Sequence, residues 1–151
     1  MNNNKLENIG CLSDYFVNTG IKELWHSEEK DLSPWIANNM LDKLGDIIEH
    51  QIIDFELEKG VGRYEADIVL TLDDDSKAII ENKIGTFDHD HLGKALTYMA
   101  YLGAKNIIWI CDNYYDEHIT AINYMNNITP DEFGFYAIKI QLCIKNYFYY
   151  F

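Results

Sequence analysis

The chain is poor in the residues that staple or interrupt a fold. It contains three cysteines, Cys11, Cys111 and Cys143, and two prolines among 151 residues. The cysteines are odd in number, lie far apart and form no CxxC pair, which argues against a disulfide framework and against a zinc ribbon. We therefore expect buried or half-buried thiols in a reducing cytosol.

Basic residues are also scarce. Lys and Arg total 12 against 25 Asp and Glu, which gives a formal net charge of -13. This charge favours solubility and works against the binding of polyanions. No apolar run approaches the ~18 residues that span a bilayer, and the start MNNNKLENIG lacks the basic and apolar segments of a signal peptide. We expect a cytoplasmic protein that makes no membrane contact.

Familiar catalytic signatures are absent as well. The sequence has no Walker loop, Rossmann fingerprint, nucleophile elbow or HExxH motif. What it does have is 48% hydrophobic and 14% aromatic residues, the composition of a folded globular protein. Its length predicts one domain over residues 1–151.

Hydrophobic spacing and turn residues predict the order helix, three strands, helix, strand, helix, strand. Ser33-Pro34 is typical of an N-cap followed by proline at the first helical position. The predicted helices cover 34–48, 91–103 and 116–126, and the strands 51–58, 63–72, 77–84, 106–111 and 133–144, followed by an aromatic tail, NYFYYF. This order predicts an α/β sandwich whose mixed β-sheet has antiparallel first strands and later strands joined by helical crossovers.

The central hairpin, ADIVLTLDDDSKAIIENKIG, raises a question of charge. If its loop is the three aspartates at 73–75, Asp67 faces Glu81 and Glu65 faces Lys83. Strand side chains alternate, so all four project from one face of the sheet. Opposed carboxylates destabilise a pair of strands.

A divalent cation would turn that repulsion into attraction. Mg²⁺ prefers oxygen ligands and takes one or two protein carboxylates, leaving room for water and a substrate phosphate. Lys83 would then orient or deprotonate a water molecule and offset charge at the phosphorus. The same pattern also fits an acidic hairpin that faces solvent, with Glu65 and Lys83 as an ion pair.

The same residues resemble a known family. Asp67 followed by Glu81-Asn82-Lys83 resembles the PD-(D/E)XK nuclease superfamily. The segments VGRYEADIVL, IIENKI, DHDHLGKALTYMAYLGA, IIWI and DEHITAINYMN resemble the nuclease-like N-terminal module of a mostly uncharacterised bacterial and phage group, over about 21–140. The resemblance implies a restriction-endonuclease-like three-layer sandwich with helices on both faces of the sheet. It also implies a metal-dependent nuclease that acts on nucleic acid, most naturally DNA, in defence, counter-defence or repair.

The resemblance assigns roles to four residues of the hairpin. Asp67 and Glu81 would ligate Mg²⁺ or Mn²⁺, and the carbonyl of Asn82 would add a ligand. Lys83 would be the lysine that positions the attacking water.

Further residues are implied outside the hairpin. Glu28 matches the additional acid that this superfamily often contributes from its first helical element, and Glu29 is equally well placed. Lys94 lies where many relatives carry a glutamine and would contact phosphate, while Arg63 would help to line the cleft. His91 is a candidate neighbour of the site, because its predicted helix directly follows the Glu81 strand.

The DHDH segment at 88–91 has two interpretations. It offers four possible metal ligands, but consecutive residues at the start of a helix point in different directions. An Asp88 or Asp90 cap with partly exposed histidines is therefore the preferred interpretation.

Two features oppose the nuclease interpretation. Residues 41–90 hold 14 acidic against 5 basic residues, and duplex binding normally requires several neutralised phosphates. Larger members of the group carry a further C-terminal domain, so a protein partner would have to supply target recognition.

Many members of the superfamily also pair two sites in a homodimer. The alternative function is an acidic, nuclease-like protein-binding module, such as an inhibitor, DNA mimic or assembly partner, without catalysis.

Overall fold

A computed structural model describes residues 6–8, 16–19 and 21–145, with the side chains of 21, 22 and 24–141. Its strands are β1 (Leu6–Asn8), β2 (Phe16–Thr19), β3 (Ile52–Val61), β4 (Tyr64–Leu72), β5 (Lys77–Thr86), β6 (Asn106–Asn113), β7 (Gly134–Lys139) and β8 (Leu142–Lys145). Its α-helices are α1 (Ser33–Asn39), α2 (Leu41–Ile48), α3 (His89–Leu102) and α4 (Asp116–Ile128). Cys11, the side chain of Cys143 and the predicted tail 146–151 lie outside the described residues.

Six strands form one mixed sheet in the order β1-β7-β6-β5-β4-β3. The β3–β4 and β4–β5 pairs are antiparallel, and the β5–β6, β6–β7 and β1–β7 pairs are parallel. Helices α3 and α4 are the crossovers that the parallel strands need. The predicted α/β fold with its mixed sheet is confirmed.

Each face of the sheet has its own apolar core, so the molecule has three layers. Ile68 and Ile80 pack with Leu44 on the side of α1 and α2. Val69 and Ile79 pack with Ala95 on the side of α3 and α4. Cys111 is fully buried in this second core, as expected of a structural thiol, and burial raises its pKa to about 11.

The first predicted helix, 34–48, is wrong at its start. A π-helical turn over Glu28–Leu32 precedes α1, and Ser27 is its N-cap, accepting a hydrogen bond from the backbone N–H of Lys30 at 3.1 Å. The carboxylate of Asp31 in turn accepts the N–H of Ser27 at 2.9 Å. These two bonds make Ser27 the better cap, and Ser33 is buried inside the helical segment instead.

The same helix is also interrupted. Met40 adopts φ -116° and ψ -10° between α1 and α2. The side chains of Asn38 and Asn39 donate hydrogen bonds to the carbonyls of Pro34 and Trp35. Asparagine side chains that bond to nearby backbone weaken a helix interior, which accounts for the break.

The strand predicted over 133–144 is two strands. β7 ends at Lys139, and β8 pairs with β2 in a separate two-stranded antiparallel sheet. β1 and β2 are absent from the prediction because three or four residues show no readable period. In the described part of the chain, no helix combines the length and apolarity that crossing a membrane requires.

Candidate functional site

The central hairpin has the register that the sequence predicts. Val69 pairs with Ile79 and Ile68 pairs with Ile80, which confirms the loop of three aspartates. Asp67 and Glu81 come next on their strands, on the face covered by α3. The regular pairing of β4 with β5 stops at this step.

The two carboxylates take over the hydrogen bonds of the ladder where the strands separate. Asp67 Oδ2 accepts the backbone N–H of Asn82 at 2.7 Å, and Glu81 Oε1 accepts the backbone N–H of Asp67 at 3.3 Å. Only 4% of Glu81 is exposed. Burial, and then the charge of Asp67, raise the pKa of Glu81. Burial also raises the pKa of Asp67, and the Asn82 bond offsets only part of that.

Of the two candidate acids before the first helix, Glu28 is the one that reaches these strands. Glu28 Oε1 accepts the backbone N–H of Ile84 at 2.8 Å. Its charge also contributes to the raised pKa of Asp67. Glu29 is exposed, and its charge raises the pKa of Glu58 instead.

Lys83 is held by Asp88, and not by Glu65 as the hairpin pattern suggested. Its ammonium donates a hydrogen bond to Asp88 Oδ2. The other oxygen of Asp88 accepts the N–H of His91 at 2.9 Å and lies 2.7 Å from His91 Nδ1. Partial burial acts to raise the pKa of Asp88, but the bonds from Lys83 and His91 prevail and hold it well below its usual range.

Asp88 is also the N-cap of α3, so DHDH begins a helix as the preferred interpretation predicts. The carboxylate that caps the helix is the one that fixes the direction of Lys83. His91 lies half-buried beside it, and its charge lowers the pKa of Asp67.

Asn82 turns its side chain away from the carboxylates. Its amide Nδ2 donates to Ser33 Oγ at 2.8 Å, on the opposite face of the sheet. Its Oδ1 is buried and has no hydrogen-bond partner among the described residues. Only the main chain of Asn82 is therefore placed to act beside Asp67.

The two basic residues expected to contact substrate differ in position. Lys94 is exposed on α3, and its charge lowers the pKa of both Asp67 and Glu81. Arg63 is exposed in the turn between β3 and β4. No hydrogen bond or ion pair of the described residues joins Arg63 to either carboxylate.

Sequence reasoning missed Glu58, which lies opposite Asp67 on the neighbouring strand β3. The pairs Leu57 with Ile68 and Lys59 with Ala66 bracket this position. Glu58 has φ 47°, a left-handed conformation inside a strand. Its Oε1 is buried without a hydrogen-bond partner in the described chain. Burial and then Asp67 raise the pKa of Glu58 to about 7, with smaller contributions from Glu29 and Glu65.

Tyr98 on α3 was missed as well. It is 3% exposed, and its phenol lies near the acids. Burial, followed by the charges of Glu81 and Asp67, raises the pKa of Tyr98. The sequence offered only helical apolar spacing here, which does not separate a core tyrosine from one that lines a site.

The carboxylates suit a divalent cation. Glu81 is buried and Asp67 is half-buried, both have raised pKa values, and a cation that replaces their protons would stabilise the pair. The unpartnered Oε1 of Glu58 is a further oxygen donor on the same face. Hard cations such as Mg²⁺ favour oxygen donors of this kind.

A second group of possible metal ligands lies at the opposite end of the strands. Ligand atoms of His50, Asp73 and Asp74 lie within 4.8 Å of one another, the only such group of three found in the described chain. His50 and Asp74 also line a cavity of about 420 Å³. The local structure already accounts for this group, because His50 Nδ1 lies 2.9 Å from Asp73 and Asp74 bonds to Ser76 in the hairpin turn. Asp73 and Asp74 are exposed, in contrast to the buried Glu81 of the carboxylate site.

Comparison with known proteins supports the fold. The sequence matches no model of a protein family, and no curated protein matches it. The crystal structure of a repair endonuclease from Pyrococcus abyssi is similar, with a TM-score of 0.51 and 12% sequence identity. The similarity covers 76% of this chain and 48% of that one, so the chain spans about half the length of the matched protein. The fold is therefore shared with an endonuclease.

Proposed function

We propose that this chain is a metal-dependent phosphodiesterase that hydrolyses nucleic acid, with DNA as its substrate, in repair, defence or counter-defence. The observation that carries the proposal is the position of the Asp67 and Glu81 carboxylates, each of which accepts a backbone N–H from the opposite strand where β4 and β5 separate. Holding a buried acid, Glu81, beside a half-buried one, Asp67, destabilises the fold unless a ligand offsets their repulsion. The fold shared with a repair endonuclease supports the same activity.

Asp67 and Glu81 would hold the cation, Mg²⁺ or Mn²⁺, with the carbonyl of Asn82 and the carboxylate of Glu28 near it. A bound divalent cation would supply Lewis-acid activation of water and neutralise part of the phosphate charge. The carboxylates must lose their protons to bind it, so binding is coupled to proton release. We also propose that the chain belongs to the PD-(D/E)XK nuclease superfamily.

Lys83 would act on the water and the phosphate through its ammonium. Asp88 holds that ammonium in place before substrate arrives, which reduces the reorganisation needed during the reaction. Lys94 would contact a phosphate oxygen, since its charge already acts on both carboxylates. Arg63 and His91 would contact the substrate at the edge of the site.

The test is a cleavage assay with end-labelled single-stranded DNA, duplex DNA and RNA, in Mg²⁺, Mn²⁺ or EDTA. Wild-type protein should cleave at least one substrate in a metal-dependent manner. Glu81→Gln and Lys83→Ala should each lower the rate by about a hundredfold or more, because each removes a charged group from the reacting centre.

Lys77→Ala is the matched control, because Lys77 lies on the same strand at its far end. It should cleave at the wild-type rate. Cleavage that persists at the wild-type rate in Glu81→Gln and Lys83→Ala would point to a contaminating nuclease and refute the proposal.

The net charge of -13 favours one second candidate, an acidic module that binds a basic DNA-binding protein without catalysis. On β3, the exposed acids Asp54 and Glu56 add to this charge. This candidate needs no cation at Asp67 and Glu81. Cation binding that is unchanged in Asp67→Asn, together with no cleavage of any substrate, would favour it.

A further inference from the structure

A groove runs beside the carboxylates, between the start of β4 and the first turns of α3. Its volume is about 470 Å³, and its lining includes Tyr64, Gly93, Lys94, Thr97 and Tyr98. This volume lies in the range of roughly 300–1,000 Å³ that is typical of ligand sites. The groove is therefore large enough for part of a nucleotide chain.

Two lining residues connect the groove to the carboxylates. The charge of Lys94 lowers the pKa of Asp67 and Glu81, and the charges of those acids raise the pKa of Tyr98. Tyr64 also contributes to the raised pKa of Tyr98. A chain bound in the groove would thus continue toward the carboxylates.

The groove offers an aromatic surface next to a cation. Tyr64 is 54% exposed at the start of β4. A Cβ added to Gly93 would meet no atom within 4 Å, so the helix leaves open space at this point. An exposed aromatic ring stacks on a nucleobase, and an adjacent ammonium binds the backbone phosphate.

The charge balance selects between single and double strands. Lys94 shares the groove with Asp90, and residues 41–90 carry a net charge of -9. Duplex affinity depends on neutralising many phosphates, which this surface does not offer. Base stacking provides binding energy without a large positive charge, and it requires unpaired bases.

We infer that this groove binds unpaired nucleotides next to the scissile phosphate, with Tyr64 stacking on a base and Lys94 contacting a phosphate. The substrate class is therefore single-stranded nucleic acid. This inference rests on the proposed function for its biological meaning, but the binding itself does not depend on cleavage.

The test measures binding in EDTA, where the proposed cleavage is stopped. Fluorescence anisotropy would follow labelled oligonucleotides of one sequence as single-stranded DNA, single-stranded RNA and duplex DNA. The single strands should bind at least tenfold more tightly than the duplex, and the two single-stranded arms distinguish DNA from RNA. Tyr64→Ala and Gly93→Leu should each weaken single-strand binding by about tenfold, through loss of stacking and through filling of the groove.

Matched variants separate the groove from general effects on folding. Tyr64→Phe keeps an aromatic ring, Gly93→Ala adds only a methyl group, and Tyr101→Ala removes an exposed tyrosine of α3 that does not line the groove. All three should bind within about twofold of wild type, with thermal melts confirming that each variant is folded.

Equal binding of duplex and single strands, no binding of any oligonucleotide, or wild-type binding by Tyr64→Ala and Gly93→Leu would each overturn the inference. If no substrate is cleaved but the predicted binding pattern is observed, the proposed nuclease function is wrong and single-strand binding by the groove is supported. If a substrate is cleaved but the binding pattern is not observed, single-strand binding by the groove is wrong and the nuclease function is supported.

Discussion

The backbone N–H of Asn82 donates to the carboxylate of Asp67 at 2.7 Å, at the step where a regular ladder would continue. The N–H of Asp67 in turn donates to Glu81. These two bonds fix both acids side by side within the sheet. Their mutual repulsion has consequences for stability that can be measured without any substrate.

Glu81→Gln should stabilise the protein in EDTA at pH 7.5. The amide keeps an oxygen that accepts the N–H of Asp67 and cannot ionise, so folding no longer has to keep this side chain protonated against the pull of the solution pH. We expect a gain of about 1–2 kcal/mol in the free energy of unfolding, since one pKa unit is worth about 1.4 kcal/mol. Urea denaturation measures it. Glu65→Gln, which neutralises an exposed acid of β4, is the control and should change the stability by less than about 0.5 kcal/mol.

The stability of the metal-free protein should fall as the pH rises. The folded-state pKa values of Asp67 and Glu81 lie above their ordinary values of 3.8 and 4.5, so the folded state binds protons more tightly than the unfolded state does. The stabilisation is complete below those ordinary values and is lost as the pH passes through the raised ones. Melting temperatures in EDTA from pH 4.5 to 8.5 should show this decline.

The pH series needs a control because the whole chain is acidic. The double variant Asp67→Asn/Glu81→Gln should decline less steeply than wild type over the same pH range. Identical slopes would assign the effect to the general negative charge and not to this pair.

Asp88→Asn should slow cleavage without weakening cation binding. Asparagine is as good an N-cap as aspartate, so α3 keeps its start, but the charge that holds Lys83 is lost. A misplaced reacting group costs on the order of a hundredfold, so we expect kcat to fall by about ten- to a hundredfold. Asp90→Asn, in the same helical turn, is the control and should retain the wild-type kcat. A fall in Mn²⁺ affinity in Asp88→Asn would instead place Asp88 among the cation ligands.

Glu58→Gly should stabilise the metal-free protein although glycine normally weakens a strand. The left-handed φ of 47° costs a non-glycine residue on the order of 1 kcal/mol or more, and glycine removes that cost together with a half-buried acid. Glu56→Gly, on the same strand and without a positive φ, should destabilise by about 0.5–1 kcal/mol. Urea denaturation of both variants in EDTA checks the contrast, which fails if the two variants lose stability alike.

The central hairpin was predictable because its information is local. Three aspartates form the turn, and alternation on either side sets the register, so the opposition of Asp67 and Glu81 follows by counting. The partner of Lys83 was not predictable in this way. The strands separate before the pair of Glu65 with Lys83, and Asp88 reaches the lysine from the next element.

Glu58 shows how far counting extends and where it stops. Pairing β3 with β4 through the turn at Gly62 places Glu58 opposite Asp67, a register that the glycine could have indicated. The left-handed backbone of Glu58 has no sequence signal, because glutamate is not a residue that favours it. The same limit applies to the start of the first helix, where a tertiary contact from Ser33 to Asn82 buries the residue expected to be the cap.

Mn²⁺ binding, measured by electron paramagnetic resonance at pH 7.5, tests most directly whether Asp67 and Glu81 form a cation site. Wild type and Asp74→Asn, which alters the other possible ligand group, should bind Mn²⁺ with the same affinity. Asp67→Asn should bind at least tenfold more weakly. Equal binding by wild type and Asp67→Asn, or loss of binding in Asp74→Asn alone, would contradict the account.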